Sequence, residues 1–168
     1  GAVFDAGRKA SIAAAERIGG RILDVGIGTG ISLTDYKPTN RIVGVDYSEP
    51  MLRKAHERVA QHKLDHVEAL AVMDAQHLGF PDASFDVALL SQALHHAKDP
   101  GKALSEAWRI LRPGGRVLVL DLRQHDETWV QDKLGDEWLG FTPGNLESLL
   151  TTAGFSHTTV RVGARRTG

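Results

Sequence analysis

The sequence predicts an α/β fold, a doubly wound and mostly parallel sheet flanked by helices. Three observations carry that reading. Short apolar runs and amphipathic stretches alternate from one end of the chain to the other, the rhythm of strand–helix–strand units. A glycine-rich loop, GIGTG (26–30), stands directly behind the first apolar run. The fourth run, FDVALLSQAL (85–94), opens with apolar residues that do not alternate with polar ones, as a strand buried on both faces requires.

Each element follows in order. DAGRKASIAAAERIGG (5–20) reads as a helix, with Ala and Ile at helical spacing and Gly19-Gly20 closing it. RILDVG (21–26) is a first strand and RIVGVD (41–46) a second. SEPMLRKAHERVAQHK (48–63) is a helix with Ser48 as N-cap, Pro50 in the first turn and Leu52, Ala55 and Val59 as its buried face. HVEALAVMDA (66–75) contains a third strand ending near Asp74. FPDAS is a turn before the fourth strand, and DPGKALSEAWRIL (99–111) a helix with Leu104, Ala107 and Leu111 inward. RPGG (112–115) is a turn, RVLVLDL a fifth strand, TPGNLESLLTTAGF a helix capped by Thr142 and ended by Gly154, and HTTVRVG (157–163) a sixth, weaker strand. The charged segment 123–141, with Trp129 and Trp138, departs from the rhythm and is expected to form a helix and loop over the carboxyl edge of the sheet.

Composition narrows the class. The chain has 168 residues, enough for one domain (1–168) with a self-sufficient core. A net charge of −1 argues against a nucleic-acid partner, which calls for a basic surface. No cysteine is present, which excludes disulfides and thiolate chemistry and suits a cytoplasmic location. No apolar run reaches the length of a membrane span, and no secretory leader is visible. The chain begins with Gly1 rather than Met, as a processed chain or a fragment does.

The glycine loop is the first functional signal. A dinucleotide site asks for G-x-G-x-x-G, but the third position here is Ile31 and Gly30 falls one place early. The pattern is D-x-G-x-G-x-G, Asp24 to Gly30. Asp46 ends the second strand, where a carboxylate can accept from ribose hydroxyls, and Asp74 ends the third, where one can accept from an adenine amino group. Three acidic strand ends beside one glycine loop suit an adenosine that carries no pyrophosphate. That favours S-adenosylmethionine (SAM) over a nicotinamide dinucleotide.

LDVGIGTG, VGVDYSEPML, MDAQHLGFPDASFDVALLSQALHHAKDP and ALSEAWRILRPGGRVLVLDL resemble the successive motifs of class I SAM-dependent methyltransferases, across most of residues 21 to 122. The resemblance implies a Rossmann-like sheet in which Gly26, Gly28 and Gly30 line the methionine end and Asp24 helps fix its amino group. It implies that Asp46 holds the ribose, with Met51 packed near adenine and Tyr47 in the same cofactor-binding set. Asp74 and the Ala75 backbone would read the adenine edge, and Ser91 and Gln92 would close the site. More finely, residues 1–86 resemble bacterial phosphatidylethanolamine N-methyltransferases, and residues 89–168 resemble methyltransferase domains associated with winged-helix regulators. A divergent natural protein, an ancestral-type sequence and an engineered chimera all fit that mixture. The family's aromatic-rich N-terminal cover and its last, antiparallel strand have no counterpart between Gly1 and Gly168. An open pocket and an unpaired sheet edge, a route to a homodimer, are expected from this.

Methyl transfer is an in-line displacement, so the protein chiefly aligns the acceptor and excludes water. His95 and His96, after the fourth strand, are the candidate catalytic residues, one to take a proton or orient an acceptor; the alternative is a loop histidine with ordinary hydrogen bonds. Asp121 and His125 are candidates for a second wall of the pocket, although loop hydrogen bonding explains them better. Trp129 and Trp138 can cap an acceptor or attract a cationic amine, with packing the simpler role. His62 and His66 have metal-like spacing but no third ligand, so no metal is expected. Arg53, Lys54 and Arg58 form a basic face able to touch anionic lipid, yet Glu57 interrupts it and a solvated face is favoured. SQAL (91–94) stands where DNA amino-methyltransferases carry Asp/Asn-Pro-Pro-aromatic, which argues against a nucleobase.

The expected function is therefore SAM-dependent methyl transfer to a small-molecule or phospholipid acceptor, with S-adenosylhomocysteine (SAH) as product and peripheral membrane contact allowed. The second reading is a SAM- or SAH-binding domain with little or no catalysis. A nicotinamide oxidoreductase ranks third, without a Tyr-x-x-x-Lys pair to support it.

Overall fold

Residues 2–121 and 143–160 are described in the computed structural model of the chain. Its centre is a parallel sheet of five strands: β1 (Arg21–Val25), β2 (Arg41–Asp46), β3 (Val67–Val72), β4 (Phe85–Ser91) and β5 (Leu111–Leu120), in the order β3-β2-β1-β4-β5. All four strand pairs are parallel. The chain winds outward from β1 to β3, then crosses back to β4. The order therefore reverses between β1 and β4, and ligands of such sheets bind at the carboxyl end of that junction.

Side-chain alternation sorts the core into two layers. Leu23, Val25, Val43, Val45, Ala88 and Leu90 face α3 (Pro100–Ile110) and α4 (Pro143–Ala153), where they meet Ala103, Leu104, Ala107 and Leu150. Ile22, Ile42, Val87 and Leu89 face the other way, onto α1 (Ala2–Ile18) and α2 (Glu49–His62), through Ile12, Ala15, Leu52 and Ala55. The central strands β1 and β4 are thus buried on both faces, which is why their sequences do not alternate. At about 1.5–3 kcal/mol per fully buried aliphatic side chain, this double layer supplies the main stabilisation of the sheet.

The helix caps follow from the local sequence. Ser48 Oγ accepts from the Met51 amide at the start of α2, with Pro50 in the first turn. Asp99 does the same for Lys102 at the start of α3. Lys63 takes a left-handed conformation to end α2.

Four local expectations, all beyond the glycine loop, are revised. The glycine loop is not followed by a regular helix. It runs into one 3-10 turn, Ile31–Thr34, because only ten residues separate Gly30 from β2 and Pro38 interrupts them. Leu111 is buried as expected, but with extended backbone, as the first residue of β5 rather than the last of α3. RPGG is an irregularity inside β5: Leu111 pairs beside Phe85, and register resumes with Arg116 beside Val87. β3 ends at Val72, two residues short of Asp74. Residues 157–160 of the expected sixth strand are not in a strand. Thr142, His125, Trp129, Trp138 and residues 161–168 lie outside the described residues.

Candidate functional site

The loop from β1 to the 3-10 turn holds its three glycines for three different reasons. Gly26 has a φ of +86°, and a Cβ there would lie 2.8 Å from the Ser91 carbonyl oxygen. Its amide donates to the Val45 carbonyl at 2.9 Å. Gly26 therefore lets β1 leave the sheet hard against the end of β4. Gly30, at φ +83°, is pressed against α2, with Ala55 Cβ 3.0 Å from the position its own Cβ would occupy. Gly28, at φ +57°, meets nothing closer than Met51 Sδ at 4.0 Å. Among the described residues, Gly28 is the glycine of the three with an open side.

That loop is tied down from both flanks. Gly28 N–H donates to Asp46 Oδ2 at 2.8 Å, and Ser48 N–H donates to Asp46 Oδ1 at 2.8 Å. Asp46 thus clamps the loop to the start of α2, with lone pairs on both oxygens still available to a ligand. Arg58, on α2, donates from Nε to the Thr29 carbonyl at 3.1 Å. The basic face predicted for α2 divides accordingly: Arg58 buttresses the loop, while Arg53 pairs with Glu49 in solvent. Tyr47 and Met51 stand exposed at the same edge, Tyr47 at 80%.

Asp74 lies in the segment that follows β3. Its Oδ1 accepts from the backbone N–H and the side-chain amide of Gln76, at 2.9 and 3.2 Å. Gln76 Oε1 in turn accepts from Asp99 N–H, which ties this segment to the start of α3. Ala75 packs partly buried against the core layer facing α3.

Asp24 lies deepest, 1% exposed. Its Oδ2 accepts from the Tyr36 hydroxyl at 3.0 Å and the Ser32 hydroxyl at 3.3 Å. Its Oδ1 is buried and has no donor among the described residues. Burial pushes this carboxyl up to about 7, against smaller downward effects of the Tyr36 and Ser32 hydrogen bonds. The Tyr36 phenol is pushed up in turn, chiefly by its own burial and then by the Asp24 charge.

Beyond β4, Gln92 adopts a left-handed conformation, φ +57°, and its N–H donates to the Leu120 carbonyl at 2.6 Å. This joins the ends of β4 and β5. His95 follows, 2% exposed, with Nδ1 2.6 Å from Asp121 Oδ1. Asp121 Oδ2 accepts from Leu94 N–H at 3.1 Å. The two histidine rings lie 4.1 Å apart, and His96 is exposed. Asp121 is therefore the partner of His95, rather than part of a separate wall. His66, half of the spaced histidine pair, sits with Nε2 3.4 Å from the Leu33 carbonyl. Among the described residues, no group of three or more His, Asp or Glu is arranged to hold a metal ion.

The sequence reading missed Tyr36, Ser32 and Arg58 as parts of this site. Ser32 and Tyr36 stand just behind the loop, two hydroxyl side chains close in sequence to the Asp24 carboxyl they reach.

The donor set tests which ligand fits. At the strand ends it consists of carboxylates with spare lone pairs, an orphaned buried oxygen on Asp24 and an open cradle at Gly28. Such groups want a ligand rich in donors: an ammonium, a ribose diol, an exocyclic amine. S-Adenosylmethionine fits that description. A pyrophosphate does not, since it would face carboxylates and a single 3-10 turn in place of a helix N-terminus.

Comparison with known proteins gives the same direction. A family model described as "Methyltransferase domain" matches residues 23–119. The chain is similar to a phosphatidylethanolamine N-methyltransferase of Cereibacter sphaeroides, 36% identical over 121 residues, covering 72% of this chain and 60% of the relative. It is similar to a demethylmenaquinone methyltransferase of Symbiobacterium thermophilum, 34% identical, covering 76% of this chain and 52% of the relative. The chain thus spans between half and two thirds of the length of these two relatives. Among solved structures, phosphoethanolamine N-methyltransferase 2 of Haemonchus contortus with bound S-adenosyl-L-methionine superposes with a TM-score of 0.71 at 26% identity. That match covers 88% of this chain and 37% of the other.

Proposed function

The chain belongs to the class I SAM-dependent methyltransferase family, and from that premise we propose that it methylates a small-molecule or lipid-amine acceptor by in-line displacement. The observation that carries the proposal is the carboxyl edge of β1, β2 and β4. There, Asp46 clamps Gly28, whose side is open, and a histidine oriented by a carboxylate stands after β4.

Bound S-adenosylmethionine supplies a methyl group activated on a sulfonium centre. The protein's own residues hold, orient and deprotonate. Asp46 keeps the Gly28 loop in place and would accept from the ribose hydroxyls. Asp24 Oδ1, which lacks a donor among the described residues, would receive the ammonium of the methionine end. The exposed Met51 and Tyr47 would flank the adenine, whose edge Asp74 and the Ala75 backbone would read. Ser91 and Gln92 close the floor between β4 and β5.

His95 has the geometry of a general base. Asp121, as a carboxylate, accepts from Nδ1–H, which leaves the lone pair of the imidazole on Nε2. An ammonium acceptor gives its proton to that nitrogen before its own lone pair attacks. The exposed His96 lies against His95, the two ring planes tilted by 39°, and covers that ring from one side. The phosphatidylethanolamine methyltransferase among the relatives supports an amine acceptor, and the demethylmenaquinone enzyme supports a small molecule.

The test is calorimetric binding of SAH, followed by turnover assays with ethanolamine, phosphoethanolamine and phosphatidylethanolamine vesicles. SAH binding and one methylated product support the proposal. His95→Gln is then expected to lower kcat roughly 100-fold or more while SAH affinity holds. No SAH binding overturns the whole reading; binding without any methylated product leaves a cofactor-binding domain.

A further inference from the structure

We propose that Tyr36 is a positioning residue for the cationic end of the ligand, and that ligand binding expels one proton from Asp24. The inference rests on the SAM-site reading above and adds a linkage that reading does not contain.

Its basis is a buried carboxyl with only one of its oxygens satisfied. Asp24 stands on β1 between Gly44 of β2 and Leu89 of β4, neighbours that offer it no charge. On the face toward α1, the segment 31–36 supplies two hydroxyls, from Ser32 and Tyr36, and both go to Oδ2. That fixes the rotation of the carboxyl and leaves Oδ1 as the orphan. The charged groups packed nearby are spoken for. Asp35 pairs with Arg8 of α1, and Glu16 of α1 accepts from Lys37 N–H and the Asn40 side chain. No cation among the described residues is paired with Asp24.

A carboxylate in such a place carries one negative charge without a counter-charge, which is costly in a low-dielectric interior. A proton on the carboxyl removes that charge in the free protein. Burial raises the carboxyl to about 7, so the two forms coexist near neutrality. A ligand ammonium reaching Oδ1 supplies the missing donor and the missing counter-charge together. The carboxylate then becomes the favoured form. The neutral carboxyl loses its proton to solvent, and the ammonium keeps all of its own.

The consequences are quantitative. Below about pH 7 one proton leaves per ligand bound, and affinity for an ammonium-bearing ligand falls roughly tenfold per pH unit. Well above that pH the release vanishes and affinity levels off. The Tyr36 hydroxyl favours the carboxylate, so Tyr36→Phe should push the turning point to higher pH and weaken binding several-fold near neutrality. A tyrosine that merely packed would change thermal stability and leave the turning point where it was.

The experiment is titration calorimetry of the full chain with SAH in buffers of different ionisation enthalpy, from about pH 6 to about pH 8.5. 5′-Methylthioadenosine, which lacks the amino-acid end, is the control ligand. The expected result is close to one proton released per SAH at the acid end, little at the alkaline end, and none with 5′-methylthioadenosine at any pH. Asp24→Asn should abolish the release and flatten the pH profile, and the conservative Tyr36→Phe should shift the profile without abolishing it. SAH binding with no buffer-dependent heat and a flat affinity overturns the proton linkage while the cofactor site stands. An unmoved turning point in a folded Tyr36→Phe variant overturns the role of Tyr36. No SAH binding removes both this inference and the reading beneath it.

Discussion

The two edges of the sheet treat carboxylates in opposite ways. At the amino edge, cations meet them. Asp86 binds Arg112 and the Arg21 amide, each at 2.8 Å, and Glu68 pairs with Arg21 and, more loosely, with Arg41. Arg21 also lies over the Phe85 ring, 4.5 Å from its centroid. At the carboxyl edge, Asp24, Asp46 and Asp74 receive hydroxyls, backbone amides and a side-chain amide, with no arginine or lysine among their partners in the described residues. Hydrogen bonds position a carboxylate without neutralising it. The amino edge is therefore closed electrostatically, while the carboxyl edge leaves its carboxyl groups without a counter-charge for something brought from outside to supply. Strand termini of one sheet thus divide into a structural end and a ligand end by the type of partner alone.

The sharpest way to break the comparison is at Gly26. Gly26→Ala places a Cβ 2.8 Å from the Ser91 carbonyl in a left-handed backbone, so a loss of about 3 kcal/mol or more in denaturant unfolding is expected. Gly28→Ala, with its open side, should lose only about 1 kcal/mol of stability yet block the ligand. Equal stability losses in the two variants would undo the distinction between the packing glycine and the open one.

Asp46→Ala comes next. It removes a charged acceptor and frees the loop, and SAH affinity should fall roughly 30-fold or more, read by calorimetry. Asp86→Asn should leave that affinity within twofold.

The two aspartates then differ in sign with pH. Asp24 is raised in the folded state, so its stabilising influence is complete below about pH 4 and is lost as pH climbs through about 7. Asp24→Asn is expected to be more stable than the parent above about pH 7.5, by on the order of 1–2 kcal/mol. Asp86 is lowered, first by the Arg21 amide and then, against some burial, by Arg112. Its contribution is present above about pH 4 and disappears as pH falls through its lowered folded value. Asp86→Asn should cost about 1 kcal/mol at neutral pH, screening included, with the gap closing in acid. Thermal melts of both variants across pH check the pair; two curves of the same sign would remove the contrast.

Much of this was legible without coordinates because it is local. The alternation of apolar runs marked the strands, Ser48 and Pro50 marked the start of α2, and Asp24, Asp46 and Asp74 marked three strand ends around one loop. No periodicity marked the 3-10 turn behind the loop, where the ten residues before β2 leave space for a single such turn. Leu111 was assigned to the wrong element because both assignments bury it, and periodicity reports burial before backbone conformation.

By itself, the sequence determined the fold class, the parallel sheet, the glycine loop and the acidic strand ends, because each is written in neighbouring residues. Only the tertiary structure decided what each glycine is for and which carboxylates stay without a cation. It also decided that His95 rests on Asp121 and Asp24 on Tyr36. Those facts depend on atoms brought together from separate strands and helices, and a linear spacing carries no record of which side chains converge.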